Sequence, residues 1–511
     1  MASNWYRKSY SQSWVKARKE SRLPAAPETP APPFGKLIRI LKLEDLEDLS
    51  RTLENSARVK ELQSVASFSW VDRSAHCPEI LIPGRPPLWT PQATPTQLKE
   101  DRGSYYRDKN AARYHKHPIE PAVVASLEAD PALPVGLDVF ACGNTLDNLL
   151  RFARGEEKVF RMLAYKVQNT IFLVRRENSP TELIPNVRGY GHTFPEANTT
   201  WEADVKGSAS HQRVIRYTFG GLNLAVRFEA DGYIKSRNDR SDSEKPSPSS
   251  SSAAVPSLDE LATALSTTKV TTSTVPPSTN TTTNTNTINA SPQLPKMTRA
   301  GTPVPHKTLF DLKTRSIRTR DTKDHLAEEL PRFWVRQIPT FVLAFHTCGL
   351  FPRKDTEVQD VRADVAQWER EHAAELAKLA ALLHRVRDML FEEKKEEEEE
   401  EEATAGGGGA VEICRRVGWR DELEIRKPGG EVGGALSDEV TKWWVRAVRG
   451  NNDVENRDNG EKGEDAVKLK VSAGQGTELA DEGKGFTFTA RSDFVPTIAG
   501  IAVDIHTNQP P

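Results

Sequence analysis

The stretch "LNLAVRFEADGYI", residues 222–234, decides how the rest of the chain is read. Alternate residues of a strand point the same way. Leu222, Leu224, Val226, Phe228 and Ala230 therefore form one apolar face, and Arg227, Glu229 and Asp231 share the other. Two carboxylates two residues apart repel each other, so a strand that keeps both needs a Lys, an Arg or a metal ion beside them. The segment "KTLFDLKTRSI", residues 307–317, alternates in the same way, with Leu309, Asp311, Lys313 and Arg315 on one face. If the two strands are neighbours, three carboxylates and one ammonium converge. Hard divalent cations such as Mg2+ or Mn2+ take oxygen ligands of this kind, usually one or two carboxylates with water and a substrate phosphate. A metal-dependent phosphodiesterase suits such an array, with a lysine to polarise water or phosphate. The bland alternative is a surface salt-bridge ladder between cross-strand pairs, since E-x-D and D-x-K are short enough to arise by chance.

What separates the two strands is a change of composition. Residues 236–305 are dominated by Ser, Thr, Pro and Asn, as in "STVPPSTNTTTNTNT", and hold too few large apolar residues to offset the entropy of ordering. The sequence predicts a disordered insertion inside one domain. The same reasoning marks residues 1–33 as a basic, Pro-rich tail and 392–410 as a Glu/Gly linker, leaving 34–235 and 306–391 as the two parts of the domain. Residues 411–511 are expected to be partly disordered and partly packed on that domain. Within the ordered parts, "KVQNTIFLVRRE" and "TFVLAFHTCGLF" read as strands and "DHLAEELPRFWVRQ" as a helix. Residues 357–391 read as one amphipathic helix, from Val361, Val365, Trp368, Leu376, Leu379, Leu383, Val386 and Leu390. Strands interspersed with helices give an α/β or α+β fold with a mixed central sheet and flanking helices.

The totals constrain the partners. Lys and Arg number 70 against 72 Asp and Glu, so net charge gives no general argument for nucleic acid. The four cysteines, Cys77, Cys142, Cys348 and Cys414, lie far apart without zinc spacing, which favours a reducing compartment. No run of residues is apolar enough for a membrane span, so an intracellular protein, nuclear or cytoplasmic, is expected. His115 and His117 fit a polar loop before Pro118. His192, in "GYGHTF", follows Gly189 and Gly191, which let backbone approach a ligand.

The order "GYGHTFPEA", "FEADGYI", "FDLKTRS", "FWVRQIPTFVLAFH" resembles the PD-(D/E)XK nuclease superfamily, and within it the decapping exoribonucleases that survey RNA 5′ ends. Those enzymes carry G-Y-K-F-E, E-V-D and E-L-K segments and a W-A-Q helix leading into a strand. The resemblance implies that Glu229, Asp231 and Asp311 bind Mg2+ or Mn2+ and that Asp231, Asp311 and Lys313 form the catalytic group. By the same resemblance, Gln337 lines the site, with Glu196 and His192 in support. It also implies an RNA 5′ end as ligand and admits an RNA-processing protein partner. The sequence departs from the pattern at four places: Pro195 precedes Glu196, Gly143 and Asn144 replace an Arg-Gly pair, Asp311 replaces Glu, and Gln337 lies three residues after Trp334 instead of two. Two readings therefore stand, a metal-dependent nuclease acting on RNA 5′ ends and a catalytically silent relative kept as a binding or scaffold module. Segments such as "GGLNLAVRFEADGYI" also resemble fungal proteins labelled geranylgeranyl pyrophosphate synthase. That chemistry needs D-D-x-x-D helices, and the chain has no adjacent aspartates.

Overall fold

The computed structural model describes residues 30–71, 78–235, 294–397 and 410–458. Two β-sheets organise them. The larger has eleven strands, and the opening stretch is one of its inner strands. Leu222–Ala230 pairs antiparallel with Ser208–Phe219 on one side and parallel with Val139–Cys142 on the other. The alternation expected from the sequence holds: Leu222, Leu224, Val226, Phe228 and Ala230 all enter one core, while Ala225 enters the core on the opposite face. Helices Gly143–Ala153, His325–Arg336 and Ala373–Glu397 cover the first face, and Glu120–Ala129 and the helix from Asp438 cover the second. The architecture is mixed α/β.

The second sheet has six strands, among them Gly232–Tyr233, Leu309–Ser316, Thr340–His346 and Thr356–Asp360. The two acidic strands are therefore not neighbours in one sheet. The chain leaves the large sheet after Ala230 and joins the small one at Gly232, where Gly232 pairs with Phe310 and Tyr233 with Leu309. Asp231 is the residue at the crossing. An added Cβ at Gly232 would stand 2.3 Å from the Phe310 ring, so glycine is what permits this close pairing.

Several expectations are corrected. "KVQNTIFLVRRE" is not one strand but spans a hairpin, Phe160–Val167 and Thr170–Arg175, whose turn needs Gln168 at φ 54°. Residues 357–391 are not one helix. Thr356–Asp360 is an edge strand, and two helices follow, Arg362–Glu371 and Ala373–Glu397, the second running into the Glu-rich segment. Within the expected insertion, Lys296–Ala300 is a strand parallel to Glu79–Pro83, while residues 236–293 lie outside the described residues. Residues 1–29 and the patch "GFTFTARSDF" also lie outside them. The C-terminal part contributes two strands to the large sheet, Ala410–Arg415 and Glu422–Pro428. Among the described residues no helix is long and apolar enough to cross a membrane.

Candidate anion-binding cleft

The crossing at Asp231 lies on a cavity of about 420 Å³ between the sheets and helices Gly143–Ala153 and His325–Arg336. Each helix presents a polar end to it for a local reason. In Gly143–Ala153, Leu146, Leu149, Leu150 and Ala153 follow the helical period and are buried, which fixes the rotation of the helix. Its start, Gly143 and Asn144, then lines the cavity. Free backbone N–H groups and the positive end of the helix dipole favour an anion there. Helix His325–Arg336 begins at Asp324, whose carboxylate accepts from the Ala327 N–H at 2.9 Å. Leu326, Leu330 and Phe333 pack inward. Arg332 and Arg336, four residues apart on one face, line the cavity.

Two of the three carboxylates are already paired with cations, and the third is held by a backbone amide. Lys313 Nζ donates to Asp311 Oδ1 at 2.5 Å, Arg332 to Oδ2 at 2.7 Å, and Arg336 stands 3.8 Å from Oδ2. Asp311 is 1% exposed. Burial alone would raise its pKa, but Arg332, Lys313 and Arg336 outweigh burial and hold the carboxyl at about 2. Asp231 accepts the Leu312 backbone N–H at 2.7 Å. Burial and the neighbouring Asp311 push it up to about 6, against the pull of Lys313 and Arg332. Glu229 pairs with Lys109 at 3.1 Å. The question raised by two adjacent acids thus has its answer in Lys109 and in the Leu312 amide and Arg332.

A divalent cation requires carboxylate oxygens turned toward one point. Among the described residues no group of three His, Cys, Asp or Glu is arranged to hold a metal ion. The unsatisfied atoms point to the opposite charge. Gln212 Nε2, Arg227 Nε, Arg332 Nε and Arg336 Nε are buried and lack a hydrogen-bond partner, and all four residues line the cavity. Each is a donor on a residue of the lining, which favours an anion over a cation there. Six cationic side chains line the cavity against three carboxylates, Asp108, Glu229 and Asp231. Of the three acids assigned to a metal, Glu229 and Asp311 are ion-paired and Asp231 is held by a backbone amide.

The other expected residues separate. Gln337 does not line the cleft. It ends helix His325–Arg336 in the left-handed conformation, φ 52°, with the Ile338 N–H returning to the Phe333 carbonyl and its own side chain donating to the Trp334 carbonyl at 2.6 Å. The residue two after Trp334, Arg336, takes the place in the cleft and donates to Asn144 at 2.8 Å. Gly143 lets it lie there, because a Cβ at 143 would stand 2.9 Å from Arg336 Nε. His192 sits outside the lining, stacked on Tyr105, and burial followed by Lys109 lowers its pKa. Glu196 lies on the short helix Thr193–Asn198, also outside the lining. His115 and His117 contact the carbonyls of Ala112 and Gly434, as a polar loop would. Lys109, Arg332 and Arg336 were not singled out from the sequence, and Arg227 only as a neighbour of Glu229 and Asp231 on their face. The signal for Arg332 and Arg336 was the i,i+4 pair of arginines opposite Leu326, Leu330 and Phe333.

No curated protein sequence matches the chain. Among solved structures it is similar to S. pombe Rai1, at 9% identity and a TM-score of 0.43 over 76% of this chain and 99% of that one. It is likewise similar to Scheffersomyces stipitis Rai1 in complex with (3′-NADP)+ and calcium ion, at 11% identity and a TM-score of 0.45 over 81% and 99% of the two chains. K. lactis Dxo1 in complex with manganese is matched at 8% identity and a TM-score of 0.37 over 78% and 95%. The isoprenoid-synthase label finds no support in these comparisons. The model of a domain of unknown function, DUF8563, matches residues 36–400, and the chain belongs to that family.

Proposed function

We propose that the cleft binds the phosphorylated 5′ end of RNA and that the protein is a binding member of the nuclease-like class rather than a hydrolase. One observation carries this reading: the buried orphan groups around the cavity are N–H donors of Gln212, Arg227, Arg332 and Arg336. A phosphate supplies three acceptor oxygens and negative charge, and charge-assisted bonds from guanidinium groups are the strong ones. The start of helix Gly143–Ala153 adds backbone donors on the same wall. Asp311, the residue the resemblance assigns to a metal, is closed by Lys313 and Arg332. It serves here to fix those cations in position, and Asp231, poised near pH 6, adjusts the charge of the cleft.

The test is binding and integrity of 3′-labelled RNA bearing a 5′-triphosphate, 5′-monophosphate or 5′-hydroxyl, with manganese and with a chelator. Phosphorylated ends are expected to bind at least tenfold more tightly than hydroxyl ends, equally in both buffers, with the RNA intact on a gel. Equal binding of all ends would remove the reading. The retained order of Asp231, Asp311 and Lys313 favours the second reading, a phosphodiesterase. Manganese-dependent shortening of RNA that Asp231→Ala abolishes would put it first.

A further inference from the structure

The mouth of the cleft carries a surface that phosphate binding does not use. Tyr105 and Tyr106 pair with Ile184 and Leu183 in a two-residue antiparallel ladder. Neighbouring residues of a strand point to opposite sides. Tyr105 turns back onto His192, with ring centroids 3.8 Å apart and planes 3° from parallel. The His192 backbone N–H donates to Asp101 Oδ2 at 3.0 Å, so this stack is anchored from behind. Arg107 secures the ladder's end: its N–H donates to the Glu182 carbonyl at 2.8 Å and its Nε to the Glu182 carboxylate at 2.9 Å. Tyr106 faces outward, 49% exposed, and lines the cavity together with Lys109, Asp231 and Arg332.

A single exposed aromatic is ordinary on a protein surface. Here the ring stands at the rim of a cationic cavity, on backbone braced by a ring stack and an ion pair. In a single strand each phosphate is followed by a base with two aromatic faces. Proteins that hold such strands combine cations for the phosphate with an aromatic ring for the base.

We propose that Tyr106 is a stacking platform for the first base of a single-stranded nucleic acid whose 5′-phosphate lies among Arg227, Arg332 and Arg336. This rests on the reading of the cleft as a 5′-phosphate site and adds a requirement to it: the ligand is a nucleotide with its base, not a free polyphosphate.

The experiment compares three short 3′-labelled RNAs by fluorescence anisotropy with the full-length chain: 5′-phosphorylated and intact, 5′-phosphorylated with an abasic first nucleotide, and intact with a 5′-hydroxyl. Wild type is expected to favour the intact over the abasic phosphorylated RNA by about tenfold, the effect of one stacked base. Tyr106→Ala removes that preference and keeps the preference for phosphate over hydroxyl. Tyr106→Phe keeps both, and thermal unfolding of both variants matches wild type because the ring is exposed. If Tyr106→Ala weakens intact and abasic RNA equally, or neither, the platform is refuted while the phosphate site stands. If phosphorylated and hydroxyl RNAs bind alike, the cleft reading itself fails and the platform with it.

Discussion

Glu412 and Asp311 are both carboxylates gripped by cations and nearly inaccessible, at 0% and 1% exposure. Around Glu412, Arg161 donates at 2.5 Å and Arg176 at 2.6 Å. The remaining groups of these arginines reach the carbonyls of Pro32, Pro33 and Gly429. Neither arginine has a buried donor left over among the described residues. That cluster ties the beginning of the described chain to the large sheet, and its chemistry is complete within the fold. Around Asp311, Arg332 and Arg336 keep buried Nε groups without partners, beside a cavity. The same residue types thus give a fastening in one place and an incomplete site in the other. The difference lies in whether the last donors find acceptors, because an unmet buried donor is costly until a ligand meets it.

The largest expected effect tests the fastening. Glu412→Ala leaves two buried guanidiniums uncompensated and should cost about 3–5 kcal/mol in urea unfolding. RNA binding by the folded fraction should be unchanged. A loss of specific binding without loss of stability would erase the contrast between the clusters. Next in size, Arg336→Met keeps the volume and removes the charge-assisted donors, so affinity for phosphorylated RNA should fall by about 1.5–3 kcal/mol, roughly ten- to hundred-fold. Titration by anisotropy measures this, and an unchanged affinity would mean that Arg336 serves only Asp147 and Asn144.

A pH series sharpens the comparison at a smaller scale. The Asp231 carboxyl is raised to about 6, so the fold favours its protonated form. The stability contributed by that form is lost as pH rises from the ordinary carboxylate range through about 6. The cleft is more positive below that point. Asp231→Asn should therefore match wild type in RNA affinity near pH 5 and bind about tenfold more tightly above pH 7, since one nearby negative charge is gone. Comparing the two proteins cancels the titration of the RNA phosphates. Asp311 is held charged by its cations, so it should not titrate in this window. Parallel pH curves for wild type and variant would overturn this. The smallest effect is at Gly143. Gly143→Ala sets a Cβ against the flexible Arg336 side chain, and displacement of that arginine should weaken RNA binding a few-fold, about 0.5–1 kcal/mol by the cost of shifting an off-rotamer side chain.

Much of the fold could be read along the chain. The alternation at 222–230 gave the inner face of a strand deep in the sheet, and "DHLAEELPRFWVRQ" read as a helix, which the fold forms as His325–Arg336. The misreadings share a cause, since local period does not report interruptions that only tertiary contacts impose. Gln168 adopts a left-handed turn that makes two strands of one. His372 interrupts the expected long helix between Glu371 and Ala373. At the site, the sequence located Glu229, Asp231, Asp311 and Lys313 but not the Lys109, Arg332 and Arg336 beside them, because acids in a chain carry no record of which cations will face them.

By itself, the sequence determined which side chains share a face, since strand and helix periods are properties of the local backbone. It therefore placed Glu229 with Asp231 and Asp311 with Lys313. The tertiary structure alone decided what stands opposite. The crossing from one sheet to the other at Asp231 and the packing of helix His325–Arg336 set Arg332 and Arg336 on Asp311. The approach of Lys109 to Glu229 spans 120 residues of chain. Charge acts through space and falls with distance, so the sign of the cleft was fixed only when the fold brought these distant residues together.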